Sequence, residues 1–211
     1  MISTANPVLL PSWKQLKNYC KSMAVLDAIL SPEWQYRYYS YNSDWSEDEE
    51  FFEMRNGEGA QLLLLFLKDG AVINGFSVEE DPADKDLLLP LLPEQFHEFI
   101  YGEPVHSAGT SFCLWQSDGE ENWQTPQPAA AVKISAELLS PFDGNPLTYK
   151  HWADAYFESN GLPSGIPLEA VKQIFAHQKL DKAIVLTISP GFTDWEQLEE
   201  DLEEISYNYH F

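Results

Sequence analysis

The spacing of hydrophobic residues changes along the chain, and each change predicts a different secondary structure. Residues 13–30 carry apolar side chains at intervals of three and four positions, which predicts a helix. Ser12 and Gln15 stand where the two partners of a capping box belong, so this helix is expected to begin directly after Ser12. Ser31-Pro32 predicts its end, because proline disfavours helical geometry in the residue before it.

Five short segments have the composition and spacing of β-strands. Aromatic residues alternate along the first segment, and the third is a continuous apolar run typical of a strand buried on both faces. The predicted strands cover 34–41, 51–55, 62–67, 71–78 and 110–116. Glycine-containing turns are expected at 56–59 and 68–70, and an acidic hairpin is expected through Asp118-Gly119. Because these connections are short, the strands are predicted to form an antiparallel meander.

Helical spacing returns in most of the remaining chain. The predicted helices cover 84–101 (kinked or divided in two by Pro90 and Pro93), 149–157, 167–175 and 195–205, the last capped by Thr193 with Glu196. Residues 181–189 fit either a strand or a short helix. The segment 125–131, rich in Pro and Ala, is the best candidate for a domain boundary but is too short to divide the chain. The sequence therefore predicts one α+β domain over 1–211, an antiparallel sheet of about five strands covered by N-terminal and C-terminal helices.

Charge narrows the set of partners. The 34 acids outnumber the 12 bases, giving a net charge of −22, although residues 1–43 are slightly basic. The acids cluster in 44–58, 79–103, 118–121 and 194–204. A field of this sign repels nucleic acid and anionic membrane and attracts cations or basic proteins.

Other features of the sequence favour a soluble cytoplasmic protein. The longest apolar stretch, 62–67, is far shorter than the roughly 20 residues of a membrane span. The first residues have no basic region followed by a long apolar run, so no signal peptide is expected. The two cysteines, Cys20 and Cys113, are too few for a disulfide framework and are expected to be reduced. Oligomeric state cannot be predicted from this pattern.

The segment 34–59 combines eight aromatic residues with the only two arginines, Arg37 and Arg55. One interpretation is a binding face, in which guanidinium groups between aromatic rings grip a carboxylate or phosphate. The candidate ligand-binding residues are Arg37, Tyr39, Tyr41, Asp44, Trp45, Arg55 and Asn56. The alternative is structural: each arginine pairs with a carboxylate such as Asp44 or Glu53 and stacks on an aromatic ring across the sheet.

Two acidic segments are candidate partner surfaces, namely the predicted loop 44–53 and the helix 194–204. The candidate residues are Glu47, Asp48, Glu49, Glu50, Glu199, Glu200, Glu203 and Glu204. Asp194 and Asp201 are assigned to the same polar face of the helix. Acids near a helix C-terminus oppose the helix dipole, which is consistent with selection for negative charge; the default alternative is an ordinary solvated face of the helix.

No pattern of metal-binding, cofactor-binding or catalytic residues is found. The five histidines are scattered and show no metal-ligand spacing. Polar residues at alternate positions from Asn42 to Glu50 lack the glycine and the final glutamate spacing of a calcium loop. The chain has no Gly-x-Ser-x-Gly elbow, and Asn56-Gly57-Glu58-Gly59 is a turn rather than a nucleotide-binding loop. We therefore expect no metal, no cofactor and no catalytic residue.

Several short motifs, taken together, resemble an uncharacterised family of bacterial cytosolic proteins of unknown function. These motifs are Pro-Glu-Trp-x-Tyr-Arg-Tyr-Tyr-Ser-Tyr (32–41), Met-Arg-Asn-Gly-x-Gly (54–59), Gly75-Phe76 with Glu79, Thr-x-Phe-Cys-Leu-Trp (110–115) and Asp-Leu-x-Glu-Ile-x-Tyr (201–207). The resemblance implies a single domain and favours a helix at 181–189. It implies no activity, ligand or catalytic residue, and Ser206 stands where that family more often has glycine.

Two functions remain open on the sequence alone, beside a third interpretation in which the acidity serves only solubility or life in high salt. The first is a non-enzymatic acidic binding protein that holds a basic protein partner, as an immunity-type neutraliser of a toxin would. In such a complex, charge accelerates association and aromatic anchors such as Tyr41 and Trp45 hold the partner. The second is a small-ligand binder or enzyme whose pocket is lined by Arg37, Arg55 and aromatic side chains.

Overall fold

The computed structural model describes residues 1–84, 87, 90–126, 131–159 and 165–211. The strands are β1 (Tyr39–Ser46), β2 (Glu49–Arg55), β3 (Ala60–Leu67), β4 (Gly70–Ser77), β5 (Phe112–Ser117), β6 (Leu180–Asp181) and β7 (Tyr209–His210). The α-helices are α1 (Trp13–Leu30), α2 (His97–Tyr101), α3 (Val105–Ala108), α4 (Val132–Leu139), α5 (Pro146–Ser159), α6 (Leu168–Phe175), α7 (Lys182–Ile188) and α8 (Trp195–Ile205). Short 3-10 helices cover Pro7–Leu9, Trp34–Tyr36, Glu94–Phe96 and Ser140–Phe142.

The main sheet is an antiparallel meander of five strands in the order β1-β2-β3-β4-β5. Its register places Phe52 opposite Leu64, Leu64 opposite Ile73 and Ile73 opposite Leu114, so one face is a continuous apolar row. Helices from both ends of the chain cover this face, which confirms the predicted α+β class and the sheet of five strands. At the turn between β2 and β3, Gly57 and Gly59 have positive φ angles of 73° and 96°, a conformation that side chains disfavour.

Helix α1 and a smaller layer cover opposite faces of the sheet. Leu16, Met23 and Leu26 of α1 are fully buried against the first face, together with α6 and α8. The second face is covered by residues before β5. This second cluster contains Phe51, Leu63, Leu65, Val72, Leu92, Phe96, Phe99, Ile100, Val105, Cys113 and Trp115. Edge strand β1 contributes no buried side chain to the second cluster, although its exposed Trp45 stacks on Phe51, so the sheet is less covered there.

The strand prediction at 34–41 is wrong in its first half. Trp34–Tyr36 is a 3-10 helix, and β1 begins only at Tyr39. Trp34 and Tyr36 are exposed, whereas Tyr39 and Tyr41 are buried, so the inward alternation starts at the later pair. The predicted acidic loop 44–53 is likewise wrong, because most of its residues belong to β1 and β2 and only the connection around Glu47 and Asp48 is a turn.

The helical predictions need smaller corrections. In the described part of the predicted helix 84–101, Leu87 is helical, and a 3-10 helix, Glu94–Phe96, precedes α2. Residues 85, 86, 88 and 89 of that helix, among them Leu88, and 127–130 of the candidate boundary lie outside the described residues. Residues 181–189 form the end of β6 and then α7, where the Asp181 side chain accepts a hydrogen bond from the Ile184 N–H (2.8 Å). Helix α8 begins after Asp194, and no side chain caps it, so the predicted Thr193 cap is wrong.

Removal of the hydroxyl group from each of two buried tyrosines is expected to have opposite effects on the free energy of unfolding. Among the described residues, the Tyr39 hydroxyl is buried without a hydrogen-bond partner, whereas the Tyr149 hydroxyl donates to Asp27 (3.2 Å). Tyr39→Phe is expected to raise the free energy of unfolding by up to about 1 kcal/mol, because it removes a desolvated polar group. Tyr149→Phe is expected to lower it by about 1 kcal/mol. Urea unfolding of both variants tests this; a Tyr39→Phe protein less stable than wild type would contradict it.

Candidate functional site

Arg37 is buried in an ion pair that ties the chain before β1 to α8. Its Nη1 and Nη2 donate to Asp201 Oδ1 (2.9 Å) and Oδ2 (2.5 Å), and both side chains are less than a tenth exposed. Its Nε and Nη2 also donate to the carbonyl oxygens of Ser31 (2.9 Å) and Pro32 (2.7 Å). These bonds leave the Arg37 guanidinium little capacity for a ligand, and they place Asp201 inside the molecule rather than on the polar face of α8.

Asp27 positions the segment that carries Arg37. Its Oδ2 accepts hydrogen bonds from the backbone N–H groups of Tyr38 (2.8 Å) and Tyr39 (2.9 Å), and its Oδ1 accepts from Tyr149. Burial raises the pKa of Asp27 to about 7, although these hydrogen bonds and Arg37 act to lower it. This carboxyl group therefore fixes the entry into β1 from within the core.

Arg55 is held more loosely than Arg37. Its guanidinium stacks on the Trp34 ring, 4.3 Å from the ring centroid, and Nη2 donates to the Trp34 carbonyl oxygen (3.3 Å). Its Nε lies 3.6 Å from Glu53 Oε2. The structural interpretation expected each arginine to pair with a carboxylate such as Asp44 or Glu53. Arg55 pairs with Glu53, and Arg37 pairs with Asp201, a carboxylate outside those two examples.

Both arginines line one groove of about 890 Å³ between the end of α1, the 3-10 helix Trp34–Tyr36 and α5. Asn56 also borders it, but its Oδ1 accepts from the backbone N–H groups of Glu58 (2.8 Å) and Ala60 (2.9 Å) and so stabilises the turn. An anion in this groove would meet one arginine already engaged by Asp201 and one stacked on Trp34. The geometry therefore offers weak support for anion binding by the two arginines.

Glu50 is an internal residue rather than part of an acidic loop. Its carboxylate contacts Lys17 and Lys21 of α1 (2.8 Å for Lys21) and accepts a hydrogen bond from the Tyr41 hydroxyl (2.7 Å). Burial alone would raise the pKa of Glu50, but the hydrogen bonds from these three partners lower it below its ordinary value. Glu50 therefore connects β2 to α1, and both candidate tyrosines, Tyr39 and Tyr41, lie in the core.

The structure brings the two acidic segments together. The side chains of Asn42 and Ser43 in β1 donate to Glu204 of α8, to Oε1 (3.0 Å) and to the carbonyl oxygen (2.7 Å). We call the exposed and half-buried acids of these two segments the acidic surface. It consists of Asp44, Glu47, Asp48 and Glu49 at the β1–β2 end and Glu199, Glu200, Glu203 and Glu204 on α8, and Trp45 stands beside it, 44% exposed.

Few bases neutralise this charge. Among the described residues, ion pairs engage eight carboxylates, so most of the described acids have no basic side chain within 4.0 Å. On the acidic surface, Asp48 pairs with Lys68 (2.5 Å), an exposed contact that water and salt screen strongly. The acidic surface therefore retains a strong negative potential.

A smaller cavity of about 250 Å³ adjoins the acidic surface at the edge of the sheet. Its floor is a cross-strand row of Ser40, Glu53 and Leu63 on the second face of the sheet, where the cover of the second cluster ends. Trp34 and Trp45 stand among its walls. Trp45 stacks on Phe51 with ring centroids 4.5 Å apart, which fixes its orientation.

Asp27 and Asp201 are important residues that the sequence reasoning missed, although the sequence holds a signal for both. Asp201 stands with Leu198, Leu202 and Ile205 at positions that share one helical face, and Asp27 stands in the apolar stripe of α1. An acid in an apolar stripe indicates a buried, partnered carboxylate. The sequence around Glu53 holds no comparable signal, because the burial of Glu53 depends on how far the residues before β5 extend over the second face of the sheet.

Comparisons with protein-family models, with curated proteins and with solved structures found no match to this chain. The resemblance to an uncharacterised bacterial family thus stays an expectation. In the described part of the chain, no group of three or more His, Cys, Asp or Glu side chains is arranged to hold a metal ion. Every helix within the described ranges falls short of the length or the apolar character that a membrane span requires.

Proposed function

We propose that this chain is a non-enzymatic binding protein whose acidic surface holds a basic protein partner, in the manner of an immunity protein that neutralises a toxin. The observation that supports this most strongly is the junction at Glu204. There β1, which leads into the acids of 44–49, contacts the acidic helix α8, about 150 residues later in the sequence. Charge of one sign concentrated on one surface accelerates association with a partner of opposite sign.

The second candidate, an anion-binding pocket built on the two arginines, has less support. The guanidinium of Arg37 donates its hydrogen bonds to Asp201 and to two backbone carbonyl oxygens. Arg55 remains the one partly exposed arginine of the groove, and the neighbouring Glu53 and Asp194 disfavour an anion there. The charge balance therefore favours a cationic partner over an anionic ligand.

A comparison of immobilised variants tests the proposal. Wild-type protein is compared with Glu47→Gln/Glu200→Gln/Glu203→Gln, which removes three charges from the acidic surface, in capture from an extract of the native host. The control, Glu79→Gln/Glu121→Gln/Glu137→Gln, removes three charges elsewhere. At a salt concentration of about 50 mM, where screening is weak, wild type and control are expected to capture the same basic protein and the surface variant to lose it.

Two outcomes would contradict the proposal. One is the recovery of no basic protein by wild type at either low or physiological salt. The other is equal recovery by the surface variant and by wild type, because binding would then not depend on the acidic surface. Far-ultraviolet circular dichroism and thermal unfolding of each variant establish that a loss of capture is not a loss of folding; Glu→Gln changes at exposed positions are expected to alter stability by less than about 0.5 kcal/mol.

A further inference from the structure

The cavity at the edge of the sheet contains a carboxylate whose hydrogen-bonding capacity is unused. The side chain of Glu53 is only 18% exposed, and its nearest base is Arg55, whose Nε lies 3.6 Å away. Among the described residues, no N–H or O–H group donates a hydrogen bond to this carboxylate. Burial raises the pKa of Glu53, and Arg55 offsets only part of that effect. A partly desolvated carboxylate without donors is a site where a cation gains more than in open water.

The charges around the cavity leave a negative balance. Arg37 and Asp201 both line it but neutralise each other in their buried pair. Glu53 and Glu204 remain; Arg55, which does not line the cavity, lies 3.6 Å from Glu53 and offsets part of its charge, and no further base stands among the described lining residues. An anionic occupant would therefore be repelled, and a cationic occupant would supply the charge that the cavity lacks.

The walls of the cavity suit the same occupant. Trp34 and Trp45 line the same cavity as Glu53, and indole is the aromatic surface that attracts cations most strongly. Trp34 already stacks with the Arg55 guanidinium on one side. Leu63 and Pro104 add apolar surface that matches the methylene groups of a lysine or arginine side chain.

We propose that this cavity is the specificity pocket of the acidic surface and receives one lysine or arginine side chain of the basic partner between Trp34 and Trp45, with its charge on Glu53. This inference rests on the proposed function and adds to it one specific contact that holds the partner. The acidic surface attracts the partner from a distance, and the pocket holds one of its cations in a desolvated position. Buried anchors of this kind carry most of the affinity in protein complexes.

Binding of two synthetic probes, an oligolysine and an oligoarginine peptide of about ten residues each, tests the pocket by calorimetry at low salt. Glu53→Gln keeps the shape of the side chain and is expected to weaken binding by about fivefold or more. Trp45→Leu is expected to weaken it by a similar factor through the lost ring. The matched control Glu47→Gln removes the same charge from the acidic surface outside the cavity and is expected to weaken binding by less than about twofold.

Nuclear magnetic resonance of the tryptophan indole N–H groups provides a local readout during a titration with the same two peptides. The indole N–H resonances of Trp34 and Trp45 are expected to shift, whereas that of Trp123, which donates to the Pro11 carbonyl oxygen (2.7 Å), is expected to stay fixed. Comparison of the two peptides shows whether an ammonium or a guanidinium fits better. Equal weakening by Glu53→Gln and Glu47→Gln, or unshifted Trp45 and Trp34 signals, would overturn the pocket while leaving the acidic surface intact. Failure of both peptides to bind wild type at low salt would overturn the surface as well.

Discussion

Arg37→Met is expected to lower the free energy of unfolding by about 3–5 kcal/mol, because it leaves the Asp201 carboxylate buried without its counter-charge. The pair is less than a tenth exposed, so water cannot replace the lost donors. The variant also leaves the carbonyl oxygens of Ser31 and Pro32 without the guanidinium donors. Since these bonds join the end of α1 to α8, the loss is expected to loosen α8 before the rest of the molecule.

Two further variants separate this explanation from a general effect of removing an arginine. Arg55→Met is expected to cost less than about 1 kcal/mol, because Arg55 is partly exposed and its contact with Glu53 is long. The double variant Arg37→Met/Asp201→Leu removes both charges and is expected to be more stable than Arg37→Met alone. Urea unfolding measures all three, and amide hydrogen exchange locates the loosened helix. A cost for Arg37→Met no greater than that for Arg55→Met would contradict the buried pair.

Glu50→Ala is expected to lower the free energy of unfolding by about 2–4 kcal/mol, since it leaves Lys21 and the Tyr41 hydroxyl without their acceptor in a largely buried position. The Lys21 side chain is 14% exposed, and Tyr41 is 3% exposed. The matched control is Glu47→Ala in the exposed turn, where the change is expected to be below about 0.5 kcal/mol. Thermal and urea unfolding give both values, and a similar small cost for the two variants would show that Glu50 is a surface residue.

The contribution of Glu50 to the free energy of unfolding is expected to depend on pH. The folded pKa of Glu50 lies below the ordinary value of 4.5, so folding favours its ionised form. Its contribution is therefore fully present above the ordinary pKa and is lost as pH falls through the lower folded pKa. The difference in unfolding free energy between wild type and Glu50→Ala is expected to be largest near neutral pH and to shrink at about pH 3. A difference that stays constant over this range would contradict the ion pairs with Lys17 and Lys21.

The fold class could be predicted because it depends on local signals. The capping box of Ser12 and Gln15 forms at the start of α1, where Gln15 Oε1 accepts from the Ser12 N–H (3.3 Å). The turns at 56–59 and 68–70 set the meander, and the continuous apolar run of β3 matches a strand that is buried on both faces. The first strand was placed too early because Trp34 and Tyr36 have the composition of a strand. Contacts of Asp27 with the Tyr38 and Tyr39 N–H groups, which link positions 11 and 12 residues apart, decide where β1 begins.

The candidate site was harder to predict because charge alone does not distinguish buried from exposed acids. Glu50, Asp201 and Glu204 all belong to acidic segments, yet Glu50 and Asp201 neutralise bases inside the molecule and Glu204 joins α8 to β1. Their partners lie far away in the sequence, for example 164 residues between Arg37 and Asp201. Such pairs follow from the packing of helices on the sheet, which hydrophobic periodicity indicates only coarsely.

The association rate with the captured partner tests the central claim most directly. Stopped-flow mixing at about 50 mM and about 300 mM salt would compare wild type with Glu47→Gln/Glu200→Gln/Glu203→Gln and with the control Glu79→Gln/Glu121→Gln/Glu137→Gln. The account predicts fast association that slows steeply with salt, a surface variant slower by about tenfold at low salt, and a control within about twofold of wild type. Association that is independent of salt, or an equal loss of rate in both triple variants, would contradict the claim that the acidic surface of β1, β2 and α8 recruits a basic partner.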